Sequence, residues 1–204
     1  MSSFRQLMMR NKGGGGVEFK TSIYATGNAY MVISPNITTK YGFKIVGTLL
    51  DTTSTSFSYR TPTIVGFRKS SSNPTGWCNG SFLFIANSKQ KYVRVGYGGG
   101  TEEIELINSD GTVIATDFSI EKKNLETPPT NNKCGLLADY FDYNNSFSNF
   151  LNNTAKVKQI IIYDGDTEVA NLLPAIVNGE SGMYDTVTET FYGNANSVGS
   201  LVCE

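Results

Sequence analysis

Apolar and polar positions alternate in short runs along most of the chain, and Gly, Asn, Asp, Pro or Ser punctuate the runs. From Val17 onward, "VEFKTSIYATGNAYMVIS", "YGFKIVGTLL", "TPTIVGF", "GSFLFIANS", "KYVRVGYGGG", "EIELINSDGTVIATDFSI" and "KVKQIIIYDGDTEVANLLPAIV" read as strands and hairpins. Asp110-Gly111 in "NSDGTVI" suits the two positive-φ positions of a type I′ turn, and "YDGDTEV" (Tyr163 to Val169) repeats the device. Only "GLLADYFDYNNSFSNFLNN" leaves room for a helical turn, and its Asn and Ser content disfavours a long helix. Many short strands without βαβ alternation predict a two-sheet sandwich.

The first residues carry a different pattern. Phe4, Leu7 and Met8 fall at i, i+3, i+4 spacing, with Arg5, Arg10 and Lys12 around them. Gly13 to Gly16 then impose no backbone preference and act as a hinge. The chain therefore divides into an anchor peptide with hinge, residues 1–16, and a sandwich domain, residues 17–204. An apolar face this short does not sustain a helix alone, since helices under about 12 residues are marginal in water. It predicts docking in a partner's groove, with Arg5 and Arg10 meeting acidic rim groups.

Composition narrows the chemistry. At 204 residues the chain fits one all-β domain with an ordinary core. Its 17 basic and 18 acidic residues argue against sequence-independent nucleic-acid binding, which needs a basic excess. The absence of histidine removes Ser-His-Asp and Cys-His relays and histidine-ligated zinc. Cys78, Cys134 and Cys203 are odd in number and far apart, so they read as reduced small hydrophobes. No signal-peptide pattern and no apolar run of membrane-span length occurs, so no membrane partner is expected.

The stretch "KVKQIIIYDGDTEVANLLPAIVNGESGMYDTVTETFYGN", Lys156 to Asn194, carries a resemblance. It resembles the closing half of the concanavalin A-like or laminin-G-like sandwich of bacteriophage, prophage and gut-bacterial proteins. An Ile-Tyr-Asp-Gly hairpin leads to a Leu-Pro segment, then to a Gly-Met-Tyr-Asp turn and a Phe-Tyr strand. "YGFKIVGTLL" and "RVGYGGG" are similar to a strand and a Gly-rich edge hairpin of the same fold, so the likeness spans roughly residues 19–201. The resemblance implies an all-β, two-sheet jelly-roll sandwich with residues 156–163 and 187–193 in strands and the chain ends close together. Within the motif, Gly182 is expected to supply a positive φ and Asp185 an Asx turn. Tyr184, Phe191 and Tyr192 are expected to pack across strands, and Pro174 to sit at an edge or a strand start.

That likeness, joined to the amphipathic tag and hinge, implies a non-catalytic virion structural protein of the phage type: a decoration, head-fibre or tail-associated protein. Its tail would plug into other virion proteins after assembly in the bacterial cytoplasm, and the sandwich would face outward, as a monomer or a homo-oligomer. Glycans of a cell surface or of mucin are the candidate ligand, read by aromatic stacking and planar hydrogen bonds. The candidate contacts are Trp77, Asn79, Tyr97, Asn73, Tyr140, Tyr143 and Asn144, with Trp77 foremost because it is the sole tryptophan, in a Ser/Asn/Gly-rich loop. A bacterial surface glycan-binding module and a glycoside hydrolase stay open as alternatives. The hydrolase needs two carboxylates about 5–10 Å apart, and Glu103 and Glu105 have the i, i+2 spacing of a shared strand face. No metal or cofactor is expected, because Asp164-Gly165-Asp166 reads as a hairpin turn rather than a calcium loop.

Overall fold

The structure, a computed structural model, describes residues 16–53, 62–68, 79–86, 89–96, 102–125, 133–141, 146–148 and 150–204. Its strands are numbered along the chain and form two sheets. The nine-stranded sheet holds β1 (Val17–Phe19), β2 (Ile23–Thr26), β4 (Tyr41–Leu49), β9 (Asp117–Lys122), β13 (Ala155–Asp164), β14 (Thr167–Val177), β15 (Glu180–Asp185), β16 (Thr190–Tyr192) and β17 (Ser200–Cys203). The eight-stranded sheet holds β3 (Met31–Ile33), β5 (Thr63–Arg68), β6 (Asn79–Ala86), β7 (Gln90–Val95), β8 (Glu102–Ile107), β10 (Cys134–Leu136), β11 (Asp139–Phe141) and β12 (Ser146–Ser148). The described residues contain no helix; within Gly135–Asn153, which had room for a helical turn, they form short strands, and residues 142–145 and 149 lie outside them.

The two layers follow from period-2 patterning. On β4, Tyr41, Phe43, Ile45 and Leu49 are buried, while Lys44, Val46 and Thr48 turn toward the other face. Phe43, Ile45, Ile160, Ile162 and Leu172 from one sheet share a single core with Met31, Val65, Val93, Leu106 and Leu136 from the other. Each such side chain contributes roughly 1.5–3 kcal/mol on leaving water, which makes the shared core the main source of stability. The architecture is therefore all-β and sandwich-like. Expected strand 156–163 lies inside β13, and β17 pairs with β2 while the Thr21 N–H donates to the Glu204 carbonyl oxygen. Cys134 is buried and Cys203 half-buried, while Cys78 lies outside the described residues.

Several local expectations are corrected. The Asp110-Gly111 signal does not make a type I′ hairpin. Only Gly111 has positive φ, and the Asn108 side chain organises the turn by accepting the N–H groups of Asp110 (3.2 Å) and Thr112 (2.9 Å). Beyond it, pairing shrinks to the single bridge Ile107–Val113, and the chain crosses to the other sheet, where β9 pairs with β4. There the Phe118 ring covers Gly47, where a Cβ would lie 2.5 Å from the Lys156 carbonyl oxygen and 2.6 Å from the ring's Cζ. At Tyr163–Val169 the hairpin does form, but positive φ occurs at Gly165 and not at Asp166, the pattern of a type II′ turn. The type I′ pattern appears instead at Asn178 (φ 52°) and Gly179 (φ 83°), between paired Val177 and Glu180.

The closing motif is also rearranged. Gly182 lies inside β15 without positive φ, and what excludes a side chain there is the Phe191 ring and the Tyr192 carbonyl oxygen. Residues 187–193 are not one strand: a turn occupies 186–189 and β16 begins at Thr190. Asp185 causes this. It makes the expected Asx turn by accepting the Val187 N–H on Oδ1 at 3.0 Å, and its Oδ2 accepts the Thr188 hydroxyl at 2.7 Å. Tyr184 pairs with Phe191 and Met183 with Tyr192, the cross-strand packing expected of these aromatics. Pro174 is neither at an edge nor at a strand start but in the middle of β14. It falls where β14 has left β13, last paired at Leu172, and has not yet met β1 at Ala175, so no ladder donor is missed.

Candidate ligand site at one end of the eight-stranded sheet

Of the sequence-derived candidates, Asn79 and Tyr140 fall on described strands. Asn73, Trp77, Tyr97, Tyr143 and Asn144, like the tail residues Phe4, Arg5, Leu7, Met8 and Arg10, lie outside the described residues. Register brings the first two together. Phe67 on β5 is opposite Asn79 on β6, and on its other side it is opposite Tyr140 in the parallel β5–β11 pair. Tyr140 is in turn opposite Phe147 on β12. Candidates far apart in sequence thus occupy one row across four adjacent strands.

The strand ends that bracket the other candidates converge at the same end of this sheet. Arg68 and Asn79 bracket Asn73 and Trp77, Val95 and Glu102 bracket Tyr97, and Phe141 and Ser146 bracket Tyr143 and Asn144. The pairs Phe67–Asn79, Val95–Glu102, Phe141–Arg68 and Phe141–Ser146 tie these ends side by side.

Beside the row sits a ring cluster that sequence reading missed. Tyr30 stacks on Phe147 with centroids 4.1 Å apart and planes at 21°, and Phe150 lies 5.9 Å from Tyr30. The Lys133 Nζ is 5.8 Å from the Phe147 centroid, within cation–π reach. These rings are half-buried, and burial pushes the Tyr30 hydroxyl pKa up. Phe147 packs close because Gly135 carries no side chain: a Cβ there would be 3.3 Å from the ring. Gly135, Gly66 and Gly80 are register partners across β10, β5 and β6, so three neighbouring strands present bare backbone. No linear spacing links Tyr30 to Phe147, which is why only the fold reveals the cluster.

On β7 and β8 the arrangement is polar. Arg94 is ion-paired with Glu103, its cross-strand partner, and Gln90 donates to the Glu105 carboxylate at 2.6 Å. Loss of solvent, then the charges of Glu105 and Glu103, push the Tyr92 hydroxyl pKa up. Glu103 and Glu105 each have a partner of their own, and among the described strands β8 ends the order of its sheet beside β7, where charged side chains discourage edge-to-edge association.

The acidic hairpin at Asp164 is occupied by protein donors. Its carboxylate accepts the N–H groups of Thr38 (2.9 Å) and Thr39 (2.8 Å) and both their hydroxyls (2.7 and 2.6 Å). The hydroxyls of Thr39 and Thr38, and then the Thr38 N–H, hold its pKa well below the usual carboxylate range. This clamp fixes the 38–39 bend to the β13–β14 hairpin. Among the described residues no group of three or more acidic or cysteine side chains is arranged to hold a metal ion.

No family model matches the chain, and neither a curated protein nor a solved structure matches it.

Proposed function

We propose that the chain is a non-catalytic structural protein of the phage virion type. Its sandwich is of the concanavalin A-like jelly-roll kind, binds glycans at one end of the eight-stranded sheet, and is tethered to a virion partner by residues 1–12. The observation that carries the glycan reading is the convergence, at one end of this sheet, of the strand ends around Asn73, Trp77, Tyr97, Tyr143 and Asn144. Glycan recognition needs aromatic faces and planar amides gathered over one small area. The non-catalytic reading draws support from Glu103 and Glu105, each drawn into a pairing on β8. The virion assignment and the tail's role rest on the resemblance of Gly182–Tyr192 and on the tag-and-hinge pattern.

The test is a glycan array with wild-type protein and the Trp77→Ala and Tyr140→Ala variants. Binding by the wild type, weakened by about 1–3 kcal/mol in either variant, is the expected result, the scale of losing an aromatic hot spot. Equal binding by all three moves the site elsewhere. Steady release of reducing sugar, lost in Glu103→Gln or Glu105→Gln, would replace the binding module with a hydrolase.

A further inference from the structure

We draw no further inference here: the strongest candidate outside the proposed glycan site, the surface patch on the nine-stranded sheet where exposed Phe19 meets Tyr184 edge-on, carries nothing because nothing in the structure shows what covers it.

Discussion

The ring of Phe191 lies over Gly182, so close that a Cβ on that glycine would sit 2.6 Å from the ring's Cζ. Close approach, not backbone freedom, makes glycine obligatory at this position. Gly182→Ala is expected to destabilise the domain by about 2–3 kcal/mol, as overpacking against an aromatic ring and a fixed carbonyl does. Gly179 gives the contrast. It has φ 83° with open space around it, so Gly179→Ala costs only the left-handed penalty of about 1–2 kcal/mol. Gly179→Asn should recover much of that, since Asn tolerates positive φ, whereas Gly182→Asn should be worse than Gly182→Ala. Urea midpoints of the four variants check the order, and a rescue of Gly182 by Asn would show that its backbone angle matters after all.

Asp185 is fully buried and accepts the Asn171 N–H at 2.9 Å in addition to the Val187 N–H and the Thr188 hydroxyl. Asp185→Ala strands those donors. Leaving a buried donor unsatisfied costs about 1–3 kcal/mol, so a total loss on the order of 3 kcal/mol is expected in equilibrium unfolding. A loss within experimental error would mean that water replaces the carboxylate without cost.

The Asp164 clamp sets an acid dependence. Its folded pKa is depressed, so its contribution to stability is present above the unfolded carboxylate pKa of about 3.9 and is lost as pH falls below that value. Asp164→Asn removes the charge while keeping the size. The stability gap between wild type and variant should be widest at neutral pH and should narrow from about pH 4 downward. Denaturant titrations at a series of pH values measure it, and a gap independent of pH would show that the carboxylate charge is not what holds the 38–39 bend.

The tail prediction tests the tethering proposal. The first described strand begins at Val17 and pairs with β14 through Val17–Val177, Glu18–Ile176 and Phe19–Ala175. Deleting residues 2–12 leaves all of these in place. The melting temperature should stay nearly unchanged while incorporation into the particle is lost in a mixed reconstitution. Equal assembly of truncated and full-length protein would refute anchoring.

Much of this architecture was legible in the sequence where local chemistry decides the outcome. The β-branched run of "KVKQIIIYD" before a Gly turn marks β13, and the Asp185 Asx turn follows from one side chain and its neighbour. What could not be read was partner choice. "NSDGT" is a sound turn signal, yet the strand after it pairs with β4, where the Phe118 ring lies against Gly47. The same holds for the candidate site, where the neighbours of Asn79 and Tyr140 are set by β5, a strand with no chemical signature of its own. In sequence Gly182 reads as a positive-φ turn residue, whereas in the fold the ring of Phe191, nine positions away, excludes a side chain there.

The convergence of strand ends on one side of the eight-stranded sheet has an evolutionary consequence. Connections that leave and re-enter neighbouring, register-locked strands can change length and composition at little thermodynamic penalty, since loop-closure entropy rises only about 0.6 kcal/mol per doubling of length. The roots of three such connections are held by pairs such as Val95–Glu102 and Phe141–Ser146. A change in the length of such a connection leaves the register of the pairs at its roots intact, so the eight-stranded sheet can accept new connections without first losing its ability to fold.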